Sequence, residues 1–334
     1  MHNDALLPLK DAAQTFDVKL ERLRRAAWQG RLRAVRIGTQ WMVRPSEIER
    51  FLRDKGRQVE SAELPAWKVG PGAGRVITIA VPKGGAGRTT TALNLGAALA
   101  EVGERVLLVD FDPEASLTLS LGFDPTQLKH TVDTAIEDYQ RTYQPNISAA
   151  ILSTSAGIDL APASIRLNLA NANLINMLKR EEVLRRLLAP IRPQYDLILI
   201  DTLPYLGILV ENALVAAQEV LIPVQAPVLS TESAWLMVQQ VERMRLSDVN
   251  PDLRICGLLI TQYYPQVMLQ RQFVEQVRHV FGREAYVFET EIEHSKTIWE
   301  AQMLQQSLFQ YQPTGPAARA YRAVAQEVLH GVPA

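Results

Sequence analysis

The sequence predicts an α/β protein, a mostly parallel sheet covered on both faces by helices, with a small basic module ahead of it. Three observations carry this expectation. From residue 75 onward, short apolar runs rich in Val, Ile and Leu alternate with helical patterns, as strands and crossovers do in a parallel sheet. The first run leads into Pro82-Lys83-Gly84-Gly85-Ala86-Gly87-Arg88-Thr89-Thr90 and then a helix-like run over 91–100. Strand, glycine loop and helix form the geometry of a phosphate site, because curled backbone turns N–H groups inward and the helix aims its positive end at the same point. Charge is also divided unequally. The 334 residues sum to −1, yet residues 1–57 hold 13 Lys or Arg against 7 Asp or Glu, which makes that stretch +6 and the remainder −7.

The N-terminal stretch has apolar residues at helical spacing over 9–16, a turn at Asp17-Val18, and a second helical pattern over 19–28 with Gly30 as a candidate C-cap. Residues 32–37 and 40–43 flank Gly38-Thr39 and predict a hairpin. Pro45 opens a third helix running to about Leu52. The pattern resembles the small winged helix-turn-helix domains of the MerR and excisionase group through Ala12-Ala13, Gly30-x-Leu32 and Arg36-x-Gly38. Such a domain neutralises phosphates with exposed cations while a few side chains read base edges. Lys19, Arg22, Arg24, Arg25, Arg31, Arg33 and Arg36 are the candidate DNA-binding residues, and Trp28 and Trp41 are read as core. Use of the basic module for protein contact stays open at this point. Residues 58–74, with two prolines and three glycines over 65–74, predict a linker, which gives domains at 1–57 and 75–334.

In the body, strands are expected at 76–81, 106–109, 158–160, 197–200, 220–224, 255–260 and 286–288. Helices are expected at 90–102, 164–189, 231–246, 269–281 and 317–330. Ligands of such folds sit beyond the carboxyl ends of the strands. Two further motifs end there. Val106-Leu-Leu-Val-Asp110-Phe-Asp112-Pro-Glu114 closes one strand with two carboxylates, and Tyr195-Asp-Leu-Ile-Leu-Ile-Asp201 closes another. Carboxylates so placed can bond waters of a Mg²⁺ ion and position an attacking water. The single Cys256 excludes an internal disulfide and any multi-cysteine metal site. Neither a signal-peptide pattern nor a bilayer-length apolar run is seen, so the chain reads as cytoplasmic and not membrane-bound.

The loop departs from a regular Walker A, with Pro82 at the first Gly position and Arg88 at the Lys position. It resembles the deviant Walker A P-loop of the ParA/MinD family of ATPases, K-G-G-x-G-K-T-T. The segments at 106–117 and 195–207, the run 220–226 and the last helical pattern are similar as well, so the resemblance covers about 75–330. It implies a P-loop NTPase fold, ATP and Mg²⁺ as ligands, and a homodimer that sandwiches two nucleotides and binds DNA. It also implies a ParB-like or cargo adaptor partner and a nucleoid-associated location. Carried over by position, Lys83 would reach the partner's nucleotide. Gly84, Gly85, Ala86, Gly87, Arg88, Thr89 and Thr90 would hold the phosphates. Thr89, Asp110 and Asp201 would lie at the Mg²⁺, and Asp112 would serve hydrolysis.

Several positions depart from the family pattern. Arg88 stands for a lysine, Glu114 for a glutamine, and Tyr205 fills a small-residue position. Thr297, beside Lys296, stands where the family has a DNA-contacting arginine; Arg271, Arg278, Arg283 and Arg319 are further candidate cations on the late helices. A planar guanidinium is a poor geometric stand-in for an ammonium. Losing one placed donor commonly costs on the order of 10²–10³ in rate. The expectation is therefore ATP binding with weak hydrolysis, and adequate service by Arg88 is the alternative. Two functions stay open: a ParA-type DNA-partition ATPase with an operator-binding head, and an ATP-gated transcriptional regulator with little turnover. A MinD-like membrane switch wants a basic amphipathic terminal helix that residues 328–334 do not supply.

Overall fold

The computed structural model describes residues 6–28, 32–37, 40–53, 74–175, 177, 179–226, 230–247, 249–282 and 284–330. The linker, apart from Gly74, lies outside these residues, as do Gly30, Arg31, the Gly38-Thr39 turn, Arg283 and the last four residues.

The head is built from β1 (Leu7–Pro8), α1 (Leu9–Thr15), α2 (Leu20–Trp28), β2 (Ala34–Ile37), β3 (Gln40–Val43) and α3 (Pro45–Arg53). The hairpin expected from alternation is present: β2 and β3 pair antiparallel from Ala34↔Val43 to Ile37↔Gln40, and β1 adds to the other side of β3. Leu9, Ala12, Leu23, Ala26, Leu32, Val43 and Ile48 close a small core, with Trp41 packed on it.

The body's elements, in chain order, are β4 (Arg75–Ile79), α4 (Arg88–Glu101), β5 (Val106–Phe111), α5 (Ser116–Ser120), α6 (Val132–Thr142), β6 (Leu152–Ser153), β7 (Asp159–Ala161), α7 (Leu167–Leu174), α8 (Val183–Leu188), β8 (Leu197–Thr202), α9 (Ile208–Ala216), β9 (Glu219–Gln225), α10 (Ser230–Leu246), β10 (Arg254–Tyr263), α11 (Met268–Phe281), β11 (Ile292–Glu293), α12 (Lys296–Met303), α13 (Leu308–Tyr311) and α14 (Pro316–His330). Eight strands make one sheet in the order β11-β10-β9-β4-β8-β5-β7-β6, parallel throughout except for the β6–β7 edge. Because side chains alternate along a strand, each strand feeds two cores. Val76, Leu107, Val109, Ile198 and Ile200 face one helical layer, and Ile77, Ile79, Leu108, Leu197 and Leu199 face the other.

Three expectations change. The pattern at 164–189 is not one helix. It divides into α7 and α8, with Lys179 in the left-handed region (φ 53°) before a 3₁₀ turn at Arg180–Glu182. Residues 286–288 supply only a bridge from Val287 to Leu258, and the edge strand is β11. The short helices α5, α6, α9, α12 and α13 had no expected counterpart. The β8 strand sits between β4 and β5, so the chain leaves β4, crosses to β5, and returns later to fill the gap. That insertion pairs Asp110 with Asp201 across the β5–β8 register.

Candidate functional site

The glycine loop joins β4 to α4 at the carboxyl end of the central strand. Gly85 (φ 71°) and Gly87 (φ 84°) occupy the left-handed region that L side chains avoid, and this lets the backbone curl. Gly87 is also the residue from which α4 starts. Three loop carbonyls are gripped by side chains. Arg88 donates to Lys83 O, the Gln262 amide donates to Gly85 O, and the Thr261 hydroxyl donates to Ala86 O at 2.9 Å. In a trans peptide the C=O and N–H point opposite ways. Holding those carbonyls therefore leaves the N–H groups of Gly84, Ala86 and Gly87 on the opposite side, where an anion would sit.

Arg88 is 8% exposed. Its Nε donates to Thr202 O at 2.8 Å, and its Nη1 donates to Val81 O at 3.1 Å as well as to Lys83 O. The sequence expectation put this side chain on phosphates; its described partners are carbonyls of the β4 exit, the loop and the end of β8. Burial pulls its pKa down, opposed by the charges of Asp201 and Asp112. Lys83 is half-buried, with its pKa lowered by burial. The Thr90 hydroxyl accepts from Gln302 on α12 at 3.0 Å.

The carboxylates converge as the motifs predict. Asp201 is fully buried, and neither carboxylate oxygen has a hydrogen bond among the described residues. Burial and then the neighbouring Asp110 push its pKa to about 8, while the nearby Thr89 hydroxyl and Arg88 charge offset part of the rise. An orphaned buried carboxylate is costly unless a cation or water meets it. Asp110 is differently employed. Its Oδ2 accepts from Thr118 N (2.8 Å) and Thr118 Oγ1 (2.7 Å), and its Oδ1 accepts from Asp112 N at 3.3 Å. Burial raises it to about 6 against those bonds. Asp112 accepts from the backbone N–H of Glu114 at 3.0 Å, and the Glu114 side chain is exposed.

Among the described residues no three His, Cys, Asp or Glu side chains converge into an all-protein metal cage. A hard divalent ion that takes most of its ligands from phosphate and water would fit this set, and Asp201 and Thr89 are the residues that could hold it. The arrangement can bind a polyphosphate and its cation at one point.

Sequence reasoning missed Gln262, Gln225 and Thr118. Gln262 is a non-glycine residue in the left-handed region (φ 53°), and its amide oxygen accepts from Gln225 Nε2 at 2.8 Å. A lone glutamine after an apolar strand carries no signal; only the β9–β10 pairing brings the two together.

In the head, Lys19, Arg22, Arg24 and Arg33 are exposed, and the Arg22 guanidinium lies 5.7 Å from the Phe51 ring centre. Arg31 and the side chains of Arg25, Arg36 and Trp28 lie outside the described set. Among the late-helix cations, Arg278 pairs with Glu291 at 2.7 Å, while Arg271, Lys296 and Arg319 are exposed. No helix among the described residues is long and apolar enough to cross a membrane.

Residues 74–255 match the family model described as an AAA domain, and residues 6–56 match one described as a helix-turn-helix domain. The sporulation initiation inhibitor protein Soj of Bacillus subtilis is 35% identical over 256 residues, 76% of this chain and 98% of its own. The chromosome partitioning protein ParA of Caulobacter vibrioides is 35% identical over 257 residues, 76% and 94% of the two chains. Among solved structures, a cobyrinic acid a,c-diamide synthase of Mycobacterium smegmatis, with bound ATP analog and magnesium, superposes with a TM-score of 0.66 at 34% identity, covering 77% and 94%. The cell division ATPase MinD of Pyrococcus furiosus shares the fold, with a TM-score of 0.61 at 23% identity over 77% and 98% of the chains. Deviant phosphate loop, paired strand-end aspartates and these likenesses agree: the chain belongs to the ParA/MinD-type family of P-loop ATPases, with a helix-turn-helix domain ahead of the ATPase domain.

Proposed function

We propose that this protein is a ParA-type, ATP-dependent DNA-partition protein. In this reading it binds ATP with Mg²⁺, closes as a face-to-face dimer over two nucleotides, and holds DNA in that state. A ParB-like or cargo adaptor protein would release it, the head would bind a specific operator, and the protein would work in the cytoplasm on the nucleoid. The observation that carries the reading is the buried Asp201 carboxylate at the foot of the glycine loop, with only the nearby Thr89 hydroxyl and Arg88 charge easing it and no hydrogen bond of good geometry among the described residues. A side chain so desolvated makes physical sense beside a cation delivered with the nucleotide. The relatives named for chromosome partitioning and the head domain support the DNA role.

In this proposal the amides of the 84–90 loop, with Thr89 and Thr90, hold the phosphates, and Lys83 reaches the partner's nucleotide. Asp112 orients the attacking water, and Asp201 and Asp110 support the metal shell. Mg²⁺, when bound, supplies charge neutralisation at the phosphates. Turnover is slow, because the one cation in the second lysine position is engaged with carbonyls.

Calorimetry with ATP and Mg²⁺, paired with solution mass with and without nucleotide, tests the core of the proposal. Binding with a doubling of mass is expected; no binding and an unchanged mass would overturn it. The Arg88 geometry also favours the second reading, an ATP-gated regulator whose nucleotide sets dimer state and DNA affinity without turnover. Phosphate release by the wild type and by Arg88→Lys, with footprinting in ATP or ADP, separates the two. A slow wild type that releases phosphate and that Arg88→Lys accelerates supports the partition reading. Footprints that depend on ATP with no release support the regulator.

A further inference from the structure

We propose that Arg88 is a positioning residue that shapes the phosphate loop from behind through backbone carbonyls, and that it does not itself ligate phosphate. The proposal rests on the nucleotide-site reading above.

The geometry supplies the mechanism. One guanidinium gathers the carbonyls of Val81 and Lys83, in the connection after β4, and of Thr202, at the end of β8. Its bond to Lys83 O fixes the peptide between Lys83 and Gly84, so the Gly84 N–H faces the anion side. Gln262 and Thr261 do the same for the Gly85–Ala86 and Ala86–Gly87 peptides through Gly85 O and Ala86 O. The three side chains thus set the direction of the Gly84, Ala86 and Gly87 amides. The bond to Thr202 O ties this brace to the residue after Asp201, and the Thr202 hydroxyl in turn donates to Ile79 O at 2.9 Å. Loop and metal-side carboxylate are therefore held in one register.

Arginine suits this role and lysine does not. A guanidinium spreads its donors over three nitrogens in a rigid fork, and here Nε and Nη1 serve different segments. A lysine concentrates all its donors on one nitrogen and cannot span the three carbonyls in this way. The position is buried, so the donors lost in a substitution are not replaced by bulk water.

The test uses the full chain with Arg88→Lys and Arg88→Met. In nucleotide-free protein, both variants are expected to melt at least about 4 °C below wild type. An unchanged or higher melting temperature would overturn the brace, whether or not the wild type binds nucleotide, so failure here is distinct from failure of the ATP reading. Far below melting, on folded Arg88→Met, the Kd values for ATP and for ADP should rise by the same factor of about ten, with their ratio within twofold of wild type. A Kd ratio shifted tenfold against ATP would mark a direct contact with the terminal phosphate. Unchanged Kd values alongside a lowered melting temperature would mark a purely structural residue. Either result overturns the positioning role, and Arg88→Lys carries the melting comparison should Arg88→Met fail to fold.

Discussion

The head and the body keep their chemistry in opposite places. In the head, the described cations Lys19, Arg22, Arg24 and Arg33 stand in solvent around a small core. In the body, Arg88 at the start of α4 and Asp110, Asp112 and Asp201 at the ends of central strands lie under the surface. Exposed charges interact through a high dielectric and cost little to hold. Buried ones must be paired, hydrogen-bonded or neutralised. The comparison teaches that substitutions in the head should change binding alone, whereas those in the body should change binding and stability together.

The largest effect is expected far from the nucleotide. Glu219 on β9 is 2% exposed and accepts from Arg75 Nε at 2.6 Å, while Arg75 Nη1 donates to Val328 O of α14. Burial still pushes the Glu219 pKa up despite Arg75, so the pair is not itself a strong net stabiliser. Breaking it is another matter, since a largely desolvated, half-buried guanidinium would lose its counter-charge. Glu219→Ala should cost about 3–5 kcal/mol in denaturant unfolding. A loss under about 1 kcal/mol would show that the body tolerates buried charge as the head tolerates exposed charge.

Asp201→Asn should split the two properties. In nucleotide-free protein it should raise the melting temperature by roughly 2–6 °C at pH 8, because a desolvated anion is replaced by a neutral amide. The sign follows from the pKa. The folded carboxyl, at about 8 against 3.8 unfolded, binds protons the unfolded chain does not, so its contribution to stability falls as pH rises from 4 to 8. The advantage of Asn should therefore grow with pH across that window and flatten above it. ATP–Mg²⁺ affinity should drop in the same variant. An Asn advantage that is the same at pH 4 and pH 8 would break the comparison.

The smallest effect on stability belongs to the head. Arg24→Ala with Arg33→Ala should leave the melting temperature within about 1–2 °C. It should weaken operator binding and lower the slope of log affinity against log salt by roughly one per cation removed. A large loss of stability would place these side chains in the core instead.

Much of the site was readable because its signals are local. Lys83 to Thr90 lies between an apolar run and a helical one, and Asp110 and Asp201 each end an apolar run, so strand–loop–helix order and strand ends follow from neighbours in sequence. Gln262 and Thr118 were not readable. Gln262 depends on Gly85 and Gln225, far along the chain, and Thr118 links Asp110 to the distant Ala163, whose N–H donates to Thr118 Oγ1 at 3.1 Å. The direction of Arg88 was not readable either. The motif assigns it to phosphate by position, whereas the fold brings Thr202 O, 114 residues away, to the same guanidinium as Val81 O and Lys83 O.

By itself the sequence determined the kinds of element, the two-part division of charge and the residue types at the strand ends, because periodicity, glycine loops and apolar runs act over a few residues. Tertiary structure alone decided that β8 lies between β4 and β5, which puts Asp201 beside Asp110 and leaves its buried carboxylate without a hydrogen bond of good geometry among the described residues. Strand order is set by which apolar faces can be covered at once on both sides of the sheet, and no local stretch of chain contains that information.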